Sequence, residues 1–168
     1  MKSDRISFQV IGVLHSDHRK AEETPIQPVF APDCQGRVEV WPEFASGLKD
    51  IELYSHLYLV YHLDRVHEVR LLTKPFLQDV EHGIFATRAP WRPNPIGLSI
   101  VKLVGREGNV LLIEGVDILD GTPLLDIKPY SKRFDNIPTQ RNGWQDDVDD
   151  ETAWKRGRRG YKGPEEKC

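Results

Sequence analysis

Seven residues in two short stretches have the types and spacing to act on a ligand. Arg88, Arg92 and Asn94 fall in 87–99 (TRAPWRPNPIGLS), and Asp117, Asp120, Asp126 and Lys128 in 117–130 (DILDGTPLLDIKPY). In the first stretch Pro90, Pro93 and Pro95 each fix φ near about −65° and push Ala89, Arg92 and Asn94 toward extended backbone. A stiff loop that presents two guanidinium groups and an amide at settled positions suits a binding site, because little ordering entropy is left to lose. In the second, three carboxylates and an ammonium gather around a Gly-Thr-Pro turn at a strand end. Its plain reading has Asp120 capping the turn and Asp126 paired with Lys128. Its other reading joins the cluster to the arginine loop in one site.

The elements that must position these residues are mostly strands. Period-2 alternation is visible in Ile6, Phe8 and Val10 and again in Val38 and Val40, and 56–63 (HLYLVYHL) is a β-favouring run. Stretches 83–87 (GIFAT), 97–104 (GLSIVKLV) and 110–116 (VLLIEGV) add three more, the last two joined through a hairpin at Arg106-Glu107-Gly108-Asn109. Short strands at close spacing predict a mainly all-β fold, a sandwich or barrel. Helix is sparse, with 43–48 and 150–156 the short candidates. Pro25, Pro28 and Pro32 mark 16–36 as a surface excursion that suits a functional loop.

After Tyr130 the sequence offers no core-forming strand, which predicts a barrel or sandwich domain over 1–130 and an irregular C-terminal extension over 131–168. The extension carries an acidic run, Asp146, Asp147, Asp149, Asp150 and Glu151, and then Lys155, Arg156, Arg158, Arg159 and Lys162. Three readings fit: a solvated tail, two runs folded on each other, or an arm that tracks phosphates with Trp154 and Tyr161 as stacking surfaces.

With 168 residues, 39% hydrophobic and 29% charged, the chain can bury one sizeable core. A net charge of −3 does not by itself demand a nucleic-acid partner. Cys34 and Cys168 lack ligand spacing, no run reaches membrane-span length, and the N-terminus does not read as a signal peptide, so the expected setting is reducing and cytoplasmic. His56 and His62 share a strand face, and His56 reads as a buried structural hydrogen-bonder. No metal site is expected.

The two long motifs together resemble the TsaA-like or YaeB (TrmO) family, as do FQVIGVLHS, TPIQP and GLKDIELYSHLYLVYHL, over roughly residues 6–130. The resemblance implies a small antiparallel β-barrel, a homodimer, and S-adenosyl-L-methionine held in a loop-built cleft. It also implies a tRNA substrate, methylated at N6 of threonylcarbamoyl-adenosine beside the anticodon. By match to the family, cofactor contacts fall on Pro25, Ile26, Gln27, Asp64, Arg65, Arg88, Leu98, Glu114, Gly115, Val116 and Asp117. Arg88 is then expected at the cofactor carboxylate and Asp117 at its amine or ribose, with backbone groups of Leu98 and Val116 reading the adenine edge.

The acceptor nitrogen that this family would methylate is urea-like, and its lone pair is delocalised until its proton is removed or shared. Asp120 and Asp126 are the candidate bases, Lys128 can polarise the carbamoyl oxygen, and Asn94 can hold the base edge. Trp91, Arg92 and Tyr130 are candidates for the acceptor side, with Trp91 and Tyr130 either stacking on an unpaired base or filling the barrel mouth. Three positions depart from the bacterial pattern: Ile26 replaces an Arg, Asp64-Arg65 replaces a His-Gln pair, and Ala89-Pro90-Trp91 varies an aromatic segment. Two other readings are a methyltransferase acting on a small molecule and a cofactor-binding module that transfers nothing.

Overall fold

The computed structural model describes residues 4–163. Its strands are β1 (Gly12–Ser16), β2 (Gln35–Val40), β3 (His56–His62), β4 (Leu72–Thr73), β5 (His82–Gly83), β6 (Ile96–Glu107), β7 (Val110–Glu114) and β8 (Thr122–Pro129). Six of them close an antiparallel barrel in the order β1, β2, β7, β6, β3, β8, while β4 and β5 pair as a separate small hairpin. Alternation sets the inside. Leu57 and Leu59 of β3 and Val101 of β6 point into a core shared with Leu14, Val38, Leu111, Ile113 and Leu124. The intervening residues of β3 and β6 then form an outer wall.

Pairing of Ser16 with Gly36, Gln35 with Glu114, His62 with Ile96, and Leu14 with Thr122 brings three long connections to one end of the barrel. Those connections, 17–34, 63–95 and 115–121, carry most of the residues singled out for chemistry. The opposite end is closed by the tight β6–β7 hairpin, where Gly108 takes φ 63°. That hairpin lies where the sequence placed it.

Two expectations for local structure are corrected. Ile6, Phe8 and Val10 are exposed and outside any strand, and pairing starts only at Ile11, whose amide donates to Leu124 O at 2.9 Å. The reason lies in β8: Asp126 pairs with Val60 and Leu124 with Tyr61, so Leu125 is an extra residue, and beyond this bulge β8 pairs with β3 alone. Of stretch 83–87 only Gly83, the end of β5, is in a strand; the rest is a 3₁₀ turn, Ile84–Ala86, whose first carbonyl accepts from the Thr87 amide at 3.1 Å and the Thr87 hydroxyl at 3.0 Å, a local bond that competes with strand pairing. The Asp-Gly-Thr-Pro turn, in contrast, runs straight into the strand β8. At 43–48 the expected short helix is present as a 3₁₀ helix, Pro42–Leu48.

The described part of the extension, 131–163, is docked on the barrel loops. After α1 (Lys132–Asp135) comes α2 (Asp150–Arg158), where the acidic-then-basic run becomes the charge pattern a helix dipole favours. Asp149 caps α2 by accepting from the Thr152 amide at 2.8 Å. Such a cap contributes about 1 kcal/mol. The basic end of α2 is not a free arm: Arg156 is paired with Asp79, Arg158 with Asp33, and Arg159 lies over the Phe76 ring at 4.4 Å. Trp154 and Tyr161 pack edge-on against Phe30 and His18. Among the described residues no helix is long and apolar enough to cross a membrane. Cys34 is buried and in no disulfide, and Cys168 lies outside the described residues.

Candidate active site at the barrel mouth

The excursion 17–34 and the proline-rich loop meet through Arg88, whose Nη1 donates to Gln27 Oε1 at 2.6 Å. Pro25 is fully buried and anchors the first loop, while Arg88 remains exposed at the rim. Beneath them Ser99 Oγ donates to Asp117 Oδ1 at 2.6 Å, and the Tyr61 hydroxyl is 2.9 Å from the same Ser99 oxygen. A serine has one proton, so with Asp117 ionised the chain runs Tyr61 to Ser99 to Asp117. Burial pushes the Asp117 carboxyl up to about 7, against the Ser99 hydrogen bond and the Arg88 charge, which both pull it down. Burial and the neighbouring Asp117 also push the Tyr61 phenol up.

Outside the barrel, one cross-strand row runs Leu98, Val60, Asp126, since Val60 is registered against both neighbours. The next row runs Ile100, Tyr58, Lys128, and Tyr130 packs on Tyr58 with ring centroids 5.7 Å apart. Asp126 Oδ2 and Lys128 Nζ are 2.8 Å apart, so the pairing expected from sequence exists and sits on this wall. Burial and the nearby Asp135 push the Tyr58 phenol up, and the Arg88 charge pulls it down, which puts Arg88 in electrostatic reach of this wall as well as of Asp117.

Several singled-out residues do other things. Asp120 accepts from the Ser16 amide at 3.1 Å and is ion-paired with Arg19, so its carboxylate closes the turn rather than facing the wall. Arg65 donates to the Asp120 carbonyl and braces the same turn, and Asp64 beside it is half-buried. Arg92 Nη1 donates to the carbonyls of Ile84 at 3.0 Å and Thr87 at 2.7 Å, which makes it a strut inside the loop. Trp91 lies against Phe76 with Arg70 at 4.4 Å from its ring, so it packs over the 63–95 excursion. Asn94 is exposed. Glu114 points outward to Lys102 at 2.9 Å.

The turn at Glu114-Gly115-Val116 is fixed by backbone. Gly115 takes φ 80°, a left-handed conformation that favours glycine. The amides of Gly115 and Val116 both donate to Cys34 O, at 2.9 and 3.2 Å, and Val116 O accepts from His18 Nε2 at 2.8 Å. An adenine edge therefore does not find the Val116 amide free. His56 is not the buried structural histidine expected: it faces outward, 2.9 Å from the Ser55 hydroxyl. Sequence reasoning missed Ser99, Tyr61 and Tyr58. The available signal was Gly97-Leu-Ser99 in the apolar first half of β6, a hydroxyl on the inward face.

Known proteins share this chain's sequence and fold. A family model described as the tRNA-methyltransferase O N-terminal domain matches residues 13–136. A probable S-adenosyl-L-methionine-binding protein of Pyrococcus abyssi is 54% identical over 139 residues, covering 83% of this chain and 76% of its own length. A mouse tRNA (adenine(37)-N6)-methyltransferase is 32% identical over 143 residues, 81% of this chain but 33% of its own. The crystal structure of TrmO from Pseudomonas aeruginosa superposes with a TM-score of 0.72 at 36% identity, covering 87% of this chain and 64% of that one.

Proposed function

The chain belongs to the family of the tRNA-methyltransferase O N-terminal domain, and from that premise we propose that it is an S-adenosyl-L-methionine-dependent methyltransferase acting on tRNA. The acceptor we assign is N6 of threonylcarbamoyl-adenosine at the position named in the mouse relative, 37. One observation carries the reading: the Arg88–Gln27 rim and the Asp117 carboxyl stand beside an outer wall on which Leu98 and Asp126 flank a single residue, Val60.

The donor set fits the cofactor. Its carboxylate matches the Arg88 guanidinium, its ammonium the Asp117 carboxyl, and its adenine the apolar surface of Leu98, with Pro25, Ile26 and Gln27 forming the facing loop. Bound there, the cofactor supplies an electrophilic methyl group on a sulfonium. The rest of the task falls to the chain. Asp126 takes the proton of the carbamoylated N6–H. Lys128, 2.8 Å from Asp126, polarises the carbamoyl oxygen and so weakens that N–H bond. Tyr130 and Tyr58 offer an aromatic platform for an unpaired anticodon-loop base, with Asn94 within the loop that borders it. Asp64, Arg65, Asp120, Trp91, Arg92 and the turn Glu114–Val116 serve as supports that hold these groups in place. A cytoplasmic setting goes with a tRNA substrate, and the exposed residues of β6 go with a second copy of the chain.

The test incubates the protein with methyl-labelled cofactor and bulk tRNA, prepared with and without threonylcarbamoylation. Label should enter the modified pool only, and Asp126→Ala should lose transfer by at least about 100-fold while the cofactor Kd stays within about twofold. Cofactor binding with no label in either pool would establish a binding module instead. Equal transfer to the unmodified pool would overturn the assigned acceptor.

A further inference from the structure

The segment 143–161 touches both walls of the mouth, and it lies beyond the residues matched by the family model, 13–136. On one side the Gly157 carbonyl accepts from the Ile26 amide at 2.9 Å, and the Gly160 amide donates to Glu22 O at 3.2 Å. Arg158 bonds both Phe30 O and Asp33 at 3.4 Å, with its guanidinium over the rings of Trp154 and Tyr161. On the other side the Trp144 indole donates to Ala86 O at 2.8 Å and stacks on His82 at 5.5 Å, and Gln78 donates to Trp144 O at 3.1 Å. Arg156 reaches Asp79 at 3.0 Å, and Arg159 covers Phe76. The loops so gripped are those that carry Gln27 and Arg88.

We infer that this C-terminal segment is a strap that sets the separation of the two loops and thereby the affinity of the mouth for its ligand, with Gly157 as the positioning residue. A glycine inside a helix costs about 1 kcal/mol relative to alanine, so its presence in α2 calls for a packing reason. The reason is close approach: a Cβ there would lie 2.4 to 2.6 Å from three carbons of the Phe30 ring. Only at that distance does the Gly157 carbonyl reach the Ile26 amide, one residue before Gln27. Because Arg88 meets Gln27 directly, a shift of the helix moves the rim without touching any group placed on the reaction. The inference rests on the proposed function, in that the ligand used to read it is S-adenosyl-L-methionine.

The experiment compares the full chain, Gly157→Ala, and Gly157→Ala/Phe30→Leu, which removes ring atoms where the new methyl must sit. Two measurements are made: calorimetric binding of S-adenosyl-L-methionine, and hydrogen exchange at the Ile26 amide without ligand. Gly157→Ala should raise the Kd at least about fivefold and speed Ile26 exchange at least about tenfold, and the double variant should recover most of both. With tRNA, the KM for cofactor should rise while kcat at saturation holds. Wild-type binding with an unchanged Kd in Gly157→Ala would overturn the strap even if the melting temperature dropped. Failure of the wild type to bind the cofactor would instead overturn the functional reading, and the exchange measurement would still decide whether the strap holds Ile26.

Discussion

Asp117 is set apart from the other carboxylates of the site in that, among the described residues, it is held by a hydroxyl rather than by an ion pair. Asp120 is paired with Arg19 and Asp126 with Lys128, whereas Asp117 accepts from the Ser99 hydroxyl at 2.6 Å and is pushed up to about 7 by burial. Two measurable consequences have opposite signs. Its folded value lies above the unfolded one, so between about pH 4 and 7 the native state holds the extra proton, and stability from this group declines as pH rises through 7. Asp117→Asn should therefore melt alike with the wild type near pH 3.5 and increasingly higher than the wild type from pH 5 to 8. Cofactor affinity runs the other way, because holding an ammonium requires the ionised carboxylate: the wild-type Kd should fall as pH rises from 6 to 8, and the Asn variant should bind weakly with a flat profile. A variant whose Kd kept the wild-type pH dependence would remove Asp117 from the ammonium site.

At the scale of elements, β3 and β6 make the site possible where the Tyr61 ring crosses over Gly97, its partner across the ladder. A Cβ on Gly97 would sit 2.0 Å from the Tyr61 ring, so the ring lies flat over the bare glycine and delivers its hydroxyl to Ser99. Gly97→Ala should force the ring out, destabilise the fold by about 1–3 kcal/mol in urea unfolding, and abolish the pH-dependent difference in stability tied to Asp117. Loss of stability with that pH dependence intact would separate the ring from the carboxylate. This crossing was hidden in the sequence, where Gly97 reads only as a strand start. What was legible were features with local causes: the 2-residue period of Val38 and Val40 in β2, the β-favouring runs of β3 and β6, the hairpin at Gly108, the non-helical proline loop, and the Asp126–Lys128 pair. The strand β8 was obscured because the turn signals of Asp-Gly-Thr-Pro sit at its very start. The placement of Arg88 against Gln27, sixty-one residues apart, follows from barrel closure, which no local pattern encodes. The tail misled for a related reason: its cations look free in sequence, yet Asp33, Phe76 and Asp79 meet them only after folding.

For the whole molecule the unexplained quantity is exposed apolar surface on the wall that bears the site. Along β6 the outward residues Ile96, Leu98 and Ile100 are 39%, 48% and 38% exposed at two-residue spacing, and beyond Lys102 the same face continues with Val104, 54% exposed. Monomeric proteins seldom leave such a stripe uncovered, and a twofold pairing requires only that one surface match itself. An apolar stripe does so readily, since it sets no like charges against each other. The charges near its middle, Lys102 and Glu114, already neutralise one another at 2.9 Å. A second copy laid along β6 would also border the cleft at Leu98 and limit the access of water to it, which strengthens the charge interactions there. Sedimentation at tens of micromolar should give twice the 19.3 kDa of one chain. Ile100→Glu puts a carboxylate in the stripe and, across a twofold axis, brings two together, so it should sediment as a monomer while keeping the melting cooperativity of an intact barrel. A wild-type chain that stays at 19.3 kDa would leave the stripe to the tRNA, and cofactor affinity would then be independent of protein concentration.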